Sequence, residues 1–178
     1  MARSSEVVDH QDRWSRDFEV IRRHLWPAVS AVAVAVAVEH IGSTAVPGLA
    51  AKPVIDVDVV VPERRSAGPA VAALESLGYE HRGDQGVPGR EAFAGGEGLP
   101  EHHPYVVVLG SAPHRDHVDL RDHLRRDPGA ARRYAAEKRR LAHLLLADRE
   151  AYVEGKAWLV RELLQDARRR EGSFQPNG

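Results

Sequence analysis

The run Val54-Ile55-Asp56-Val57-Asp58-Val59-Val60-Val61 limits what this chain can become more than any other stretch. Its β-branched residues favour an extended backbone, and its near-continuous apolar character fits a buried strand closed by Pro62. Two aspartates interrupt it. Side chains two apart on a strand share a face, so Asp56 and Asp58 are expected side by side, roughly 7 Å apart along the strand. Paired carboxylates on an apolar strand repel and are costly to bury. A divalent cation removes that conflict, and carboxylate oxygens completed by water and substrate phosphate suit Mg²⁺. The plainer alternative places the aspartates at a strand end, capping amides or pairing with an arginine. For an isolated Asp-x-Asp that alternative is preferred.

The loop upstream shifts the balance. Glu39-His40-Ile41 leads into Gly42-Ser43, and residues 42–53 hold two Gly and two Pro, the composition of a structured loop with at most a short helical turn. A glycine directly after a strand lets the backbone approach a ligand, and the serine offers a hydroxyl and an amide to phosphate. Gly-Ser alone is a common turn, and the Walker spacing is absent. The combination carries the signal: a strand, Gly42-Ser43, a short loop, then the strand bearing Asp56 and Asp58. Lys52 stands within reach of a phosphate, or is a plain loop charge. Arg90, in a Gly- and Pro-rich turn, has the fork geometry for phosphate or carboxylate. His114 and His117 have the spacing of helix-borne metal ligands but no partner pair nearby in sequence, which favours solvent exposure. His40 reads as a structural histidine.

Periodicity supplies the remaining elements. Trp14, Phe18, Ile21, Leu25 and Val29 recur at three- and four-residue spacing on a helix from about Asp12, which Pro27 weakens or ends. Val32, Val34, Val36 and Val38 alternate with alanine, predicting a strand towards the end of that run, while the alanine content leaves the boundary open to a helix that extends past Ala31. A helix is expected over 67–77, stopped by Gly78. A strand, a loop and a second strand around Arg90–Ala94 follow, then a strand over 103–109. Ser111-Ala112-Pro113 reads as a helix start. From His114 to Arg170 the pattern is helical, with breaks near Pro128, Asp148 and Gly155. The segment 156–164, with Trp158, Val160, Leu163 and Leu164, reads as core packing. Residues 171–178 read as a disordered tail. The expectation is one α/β or α+β domain over residues 1–170, helical from about 114 onward.

Composition narrows the function classes. No cysteine is present, which excludes disulfides, thiolate zinc sites, iron–sulfur clusters and a cysteine nucleophile. The longest apolar stretch, 29–38, is too short to span a bilayer, and the N-terminus is polar, so a cytoplasmic chain with no membrane partner is expected. A net charge of −1 argues against nucleic-acid binding, as do aromatic residues that are only 6% of the chain and scattered. Residues 1–120 carry 11 basic and 17 acidic side chains, and residues 121–170 carry 14 and 8. The basic third either attracts an anionic substrate or consists of solvated helix faces with paired charges, and the second reading is preferred.

The loop and the Asp-x-Asp strand resemble the nucleotidyltransferase superfamily that includes polymerase β. More narrowly, EHIGSTAVPGLAAKPVIDVDVVV closely resembles the GrpB family, a nucleotidyltransferase-like group. The resemblance continues through LESLGYEHRGDQGVPGREAF, HHPYVVV, HVDLRDHLRRDP, YAAEKRRLA and DREAYVEGKAWLVRELL, about residues 10–168. It implies an α+β fold in which helices flank a small mixed sheet. It further implies that Gly42 and Ser43 hold nucleotide phosphates, that Asp56 and Asp58 hold divalent metal, and that an acid on a later strand activates the incoming hydroxyl. The strand over 103–109 has no acid. The family reads His-His there, here His102-His103, which makes His103 the candidate base or extra ligand. In the Leu-Arg-Asp-His segment, Arg121 and Asp122 are candidates for an ion pair that orients the site, with Arg121 also offered to phosphate.

Three functions follow as expectations. The first is a nucleotidyltransferase-like enzyme that uses Mg²⁺ to act on a nucleoside triphosphate or another phosphorylated small molecule. The others are a non-catalytic nucleotide-binding module and an ATP-using ligase or tailoring enzyme. The long C-terminal helices leave room for a homodimer.

Overall fold

The computed structural model describes residues 6–33 and 35–172. Helix α1 (Arg13–Ala33) opens the fold, with Trp14, Ile21, Leu25 and Val29 buried along one face. Burying each such side chain contributes about 1.5–3 kcal/mol. Pro27 does not end the helix. It lies on the exposed side, where water can serve the carbonyl that its missing N–H leaves open, while Leu25 and Val29 keep the apolar face continuous.

Strand β1 (Ala37–Ile41) follows, then a single 3₁₀ turn over Ser43–Ala45, and β2 (Ile55–Val61). Helix α2 (Ala67–Ser76), β3 (Glu80–His81), β4 (Arg90–Ala94) and β5 (His102–Val108) complete the sheet half. The strand order is β1-β2-β5-β4-β3. Only β2 and β5 run parallel, so the sheet is mixed, and β2 sits in its interior as its apolar run requires.

The helical third consists of α3 (Ala112–Arg126), α4 (Pro128–Leu141), the short α5 (Leu144–Ala147) and α6 (Arg149–Gly172). Asp127 caps α4 by accepting from the Gly129 and Ala130 amides, with Pro128 in the first turn. Asp148 separates α5 from α6 and accepts from the Ala151 amide. Gly155 breaks nothing. A side chain there would meet both Leu141 methyls at 3.0 Å, so the glycine lets α6 lie close against the end of α4. Trp158 is exposed rather than packed, while Leu159, Leu163 and Leu164 are buried. Helix α6 takes in Glu171 and Gly172, and the remainder of the expected disordered tail, 173–178, lies outside the described residues. Among the described residues no helix is long and apolar enough to cross a membrane.

Two apolar clusters pack on opposite faces of the sheet. Ile55, Val57, Val59 and Val61 of β2, with Val106 and Phe93, face α1 and α2. Val46, Leu49 and Ala50 of the loop after β1 pack with Leu124, Ala130, Tyr134, Leu159 and Leu163 of the helical third. The second cluster lies beside the sheet face that carries Glu39, Asp56, Asp58, His103 and Tyr105, because Glu39 registers with Asp58, Asp56 with His103, and Asp58 with Tyr105. The helical third thus forms a wall opposite the polar side chains of the sheet.

Candidate functional site

The site begins where β1 stops. Gly42 has φ +70°, and a Cβ there would lie 2.4 Å from Asp56 Oδ2. Both conditions demand glycine: the left-handed backbone and the close approach to the carboxylate. Gly42→Ala is expected to destabilise the fold by about 1–3 kcal/mol and to push Asp56 out of place, checked by urea unfolding.

The two aspartates share a face, but their surroundings differ. Asp56 is open to a cleft, with 31% of its side chain exposed, and its Oδ1 lies 3.5 Å from both His103 Nδ1 and the Tyr105 hydroxyl. Burial pulls its pKa up, but the hydrogen bond and charge of His103 outweigh this and hold Asp56 below the ordinary carboxylate value. Asp58 is fully buried, and His117 Nδ1 donates to both its oxygens, at 2.9 and 3.1 Å. Burial raises the Asp58 pKa, against the opposing pull of His117. His117 is therefore no solvent-exposed histidine. His114 is also buried, its Nδ1 accepting from the Gly110 amide and its Nε2 lying 3.9 Å from Glu39.

The paired histidines part company because strand side chains alternate. His103 faces Asp56. His102 points into the other face, where Nδ1 donates to Pro100 O and Nε2 accepts from the Tyr79 hydroxyl, both at 2.7 Å. His102 is structural.

Helix α3 fastens the loop. Arg121 pairs with its neighbour Asp122 through two bonds, of 2.7 and 3.1 Å, and its Nη1 reaches Glu39 at 3.4 Å and the His40 carbonyl at 3.2 Å. The expected Arg121–Asp122 pair is present, and the guanidinium is taken up by protein acceptors. Arg125, which the sequence did not single out, donates twice to the Ala45 carbonyl at 2.8 and 3.0 Å. His40 stacks on Phe18 and donates from Nε2 to the buried Thr44 hydroxyl at 3.0 Å.

Burial lowers the His40 pKa to about 4. The unfolded chain then binds the extra proton first, so stability is fully present above the ordinary histidine value and falls as pH drops from about 6.5 towards 4. The expected loss is at most about 3 kcal/mol, and His40→Gln removes that part of the acid sensitivity in urea unfolding at a series of pH values.

Two hollows meet at Ser43, Asp56 and Tyr105. The smaller, of about 130 Å³, is walled by Ile41, Gly42, His117, Leu120, Arg121, Leu124 and Tyr134. The larger, of about 910 Å³, takes Lys52, Arg90 and His103 together with Lys138, Tyr152 and Lys156 from the helical third. Among the described residues Asp56 is the one acid on its wall. Ser43 hydrogen-bonds Tyr134, whose burial raises the phenol to about 12. Arg90 lies over the Tyr105 ring at 4.6 Å and donates to the Asp84 carbonyl. The fold thus brings Gly42, Ser43, Lys52, Asp56, Arg90 and His103 to one place, with Arg121 on the wall of the smaller hollow, and sets Asp58 behind them. Three of the four tyrosines line the two hollows, so these aromatic side chains are gathered rather than scattered.

Known proteins share this architecture. The crystal structure of the conserved protein GrpB from Enterococcus faecalis superposes with a TM-score of 0.80 at 29% identity, covering 93% of this chain and 99% of that one. A structure of the Cid1 poly(U) polymerase bound to MgATP reaches 0.50 at 11% identity, over 74% of this chain and 45% of that one, a likeness of fold alone. A UPF0157 protein of Pseudomonas aeruginosa is 35% identical over 165 residues, 89% of this chain and 66% of that protein. The UPF0157 protein YqkA of Bacillus subtilis is 28% identical over 177 residues, 99% of this chain. The chain spans 51% of the length of YqkA, about half. The GrpB protein family profile matches residues 4–166, and the chain belongs to the GrpB family, on a nucleotidyltransferase-like fold.

Proposed function

We propose that the chain binds a nucleotide, or another phosphorylated small molecule, in the larger cleft and transfers a phosphoryl-linked group from it. One observation carries this reading. Three cationic side chains, Lys52, Arg90 and Lys156, with the buried amine of Lys138 beside them, line a cleft in which Asp56 is the one acid among the described residues, beside the Gly42-Ser43 loop. Such a wall draws anions from solution and neutralises them on arrival.

The donor set accommodates a cation in one way. No three His, Asp or Glu side chains among the described residues are grouped to hold a metal, so a protein-only cage is absent there. Asp56 is the carboxylate that faces the cleft, with water and phosphate oxygens left to complete the shell, which suits Mg²⁺. Asp58 would join by sharing its oxygens with His117. When bound, such a cation neutralises charge on the reacting phosphate.

The chain's own side chains do the rest. Gly42 and Ser43 permit close approach of phosphate to backbone. Lys52, Lys156 and Arg90 balance its charge. His103, on Asp56, stands where it can accept the proton of an incoming hydroxyl or amine. Arg121 and Arg125 act as positioning residues that hold the loop.

The test is pyrophosphate release from each of the four nucleoside triphosphates in the presence of pooled small-molecule fractions. The expected result is release that needs Mg²⁺ and disappears in Asp56→Asn. The absence of an acid on β5 and the engagement of Asp58 by His117 favour one alternative, a binding module without turnover. Nucleotide binding without release would establish that alternative.

A further inference from the structure

The chain has 22 arginines and only three lysines, Lys52, Lys138 and Lys156, and all three line the larger cleft. Arginine serves nearly every other basic position, on exposed helix faces and in ion pairs such as Arg133–Glu162 and Arg168–Asp119. The two residue types differ chemically. A guanidinium stays charged everywhere, whereas an amine can lose its proton on burial and become a nucleophile.

Only one of the three amines is buried. Lys138 is 2% exposed; it donates to the Ala50 carbonyl and lies over the Tyr134 ring at 4.7 Å. Among the described residues no carboxylate lies within ion-pair distance of it. Burial, with Lys156 and Arg139 nearby, lowers its pKa to about 7, and Asp56 opposes this only weakly. An amine that is desolvated and set next to other cations is the environment that activates lysine. The cleft beside it is built for anions.

We propose that Lys138 is a nucleophilic lysine that condenses with an aldehyde or ketone bearing a phosphate group. Lys156, Lys52 and Arg90 hold the phosphate. The Lys138 amine attacks the carbonyl carbon and forms a C–N bond. The carbonyl oxygen leaves as water with the two amine protons, giving an imine with no redox change. This inference goes beyond the transfer reaction and rests only on the cationic cleft, not on nucleotide chemistry.

The probe is pyridoxal 5′-phosphate, trapped with borohydride and mapped by peptide mass spectrometry on the native chain. The expected result is label on Lys138 at least tenfold above Lys52, Lys156 and the N-terminus, suppressed by inorganic pyrophosphate and absent from Lys138→Arg. Equal label on the three lysines, or none on Lys138, overturns the proposal without needing any variant to fold. Label on Lys138 in a chain that binds no nucleotide would sink the transfer reading and leave this one standing. Pyrophosphate binding without label on Lys138 would do the reverse.

Discussion

Asp56→Asn is expected to abolish the Mg²⁺-dependent part of nucleoside triphosphate binding while leaving the fold intact. Asp56 is the one carboxylate on the cleft wall among the described residues, and nearly a third of its side chain is open to solvent. An amide of the same shape keeps a weak acceptor towards His103 and Tyr105 but loses the charge that a divalent cation requires. Losing one such carboxylate is worth several kcal/mol, so affinity in Mg²⁺ should fall on the order of a hundredfold or more, towards the value without metal. Isothermal titration reads the affinity, and the urea midpoint should stay near that of the native chain. Asp58→Asn is a different perturbation. It removes the charge that His117 faces in a fully buried place, so its effect on stability should exceed that of Asp56→Asn.

The second large effect concerns pH. Lys138 has a pKa near 7 in the unliganded chain, set by burial with Lys156 and Arg139 alongside, against Asp56. A bound phosphate favours the ammonium and raises that value. Below about pH 7 the amine is already protonated and binding takes up no proton from it. Above it, binding must recruit a proton, so affinity falls up to tenfold for each pH unit until the liganded pKa is passed. The sign is therefore weaker binding at higher pH. It is read above about pH 7, where the second ionisation of phosphate near 6 is complete. Titration of a phosphate monoester at a series of pH values checks it. Lys138→Met should bind more weakly at pH 7 and lose most of this slope. A native profile that stays flat up to pH 9 would contradict an uncharged Lys138.

Local signals made much of this legible in the sequence. The apolar run of β2, the glycine after β1 and the Asp-x-Asp spacing are all short-range, and the loop and strand they predicted are present. Strand alternation also determines which of His102 and His103 meets Asp56. The features that escaped depend on distant residues. His117 reaches Asp58 from 59 positions away, and Lys138 reaches the Ala50 carbonyl from 88. No spacing rule links such pairs, so an i, i+3 histidine pair without local partners looked solvent-exposed. Pro27 is the opposite case: the local signal leaves open whether the helix ends there or runs past Ala31, and the continuous buried stripe carries it to Ala33. A glycine within a helical run signals a break, whereas Gly155 admits Leu141 against α6, which only packing reveals. The lysines are a separate case. The sequence shows amines at only three positions, and it is the fold that gathers all three at one cleft.

The most direct measurement is isothermal titration of the native chain with ATP, GTP, CTP and UTP, with and without Mg²⁺, repeated on Asp56→Asn. The expected result is binding of at least one nucleotide that strengthens with Mg²⁺ in the native chain and does not respond to Mg²⁺ in the variant. Failure of all four to bind under either condition, or an equal Mg²⁺ response in the variant, would contradict a nucleotide and metal site at Asp56.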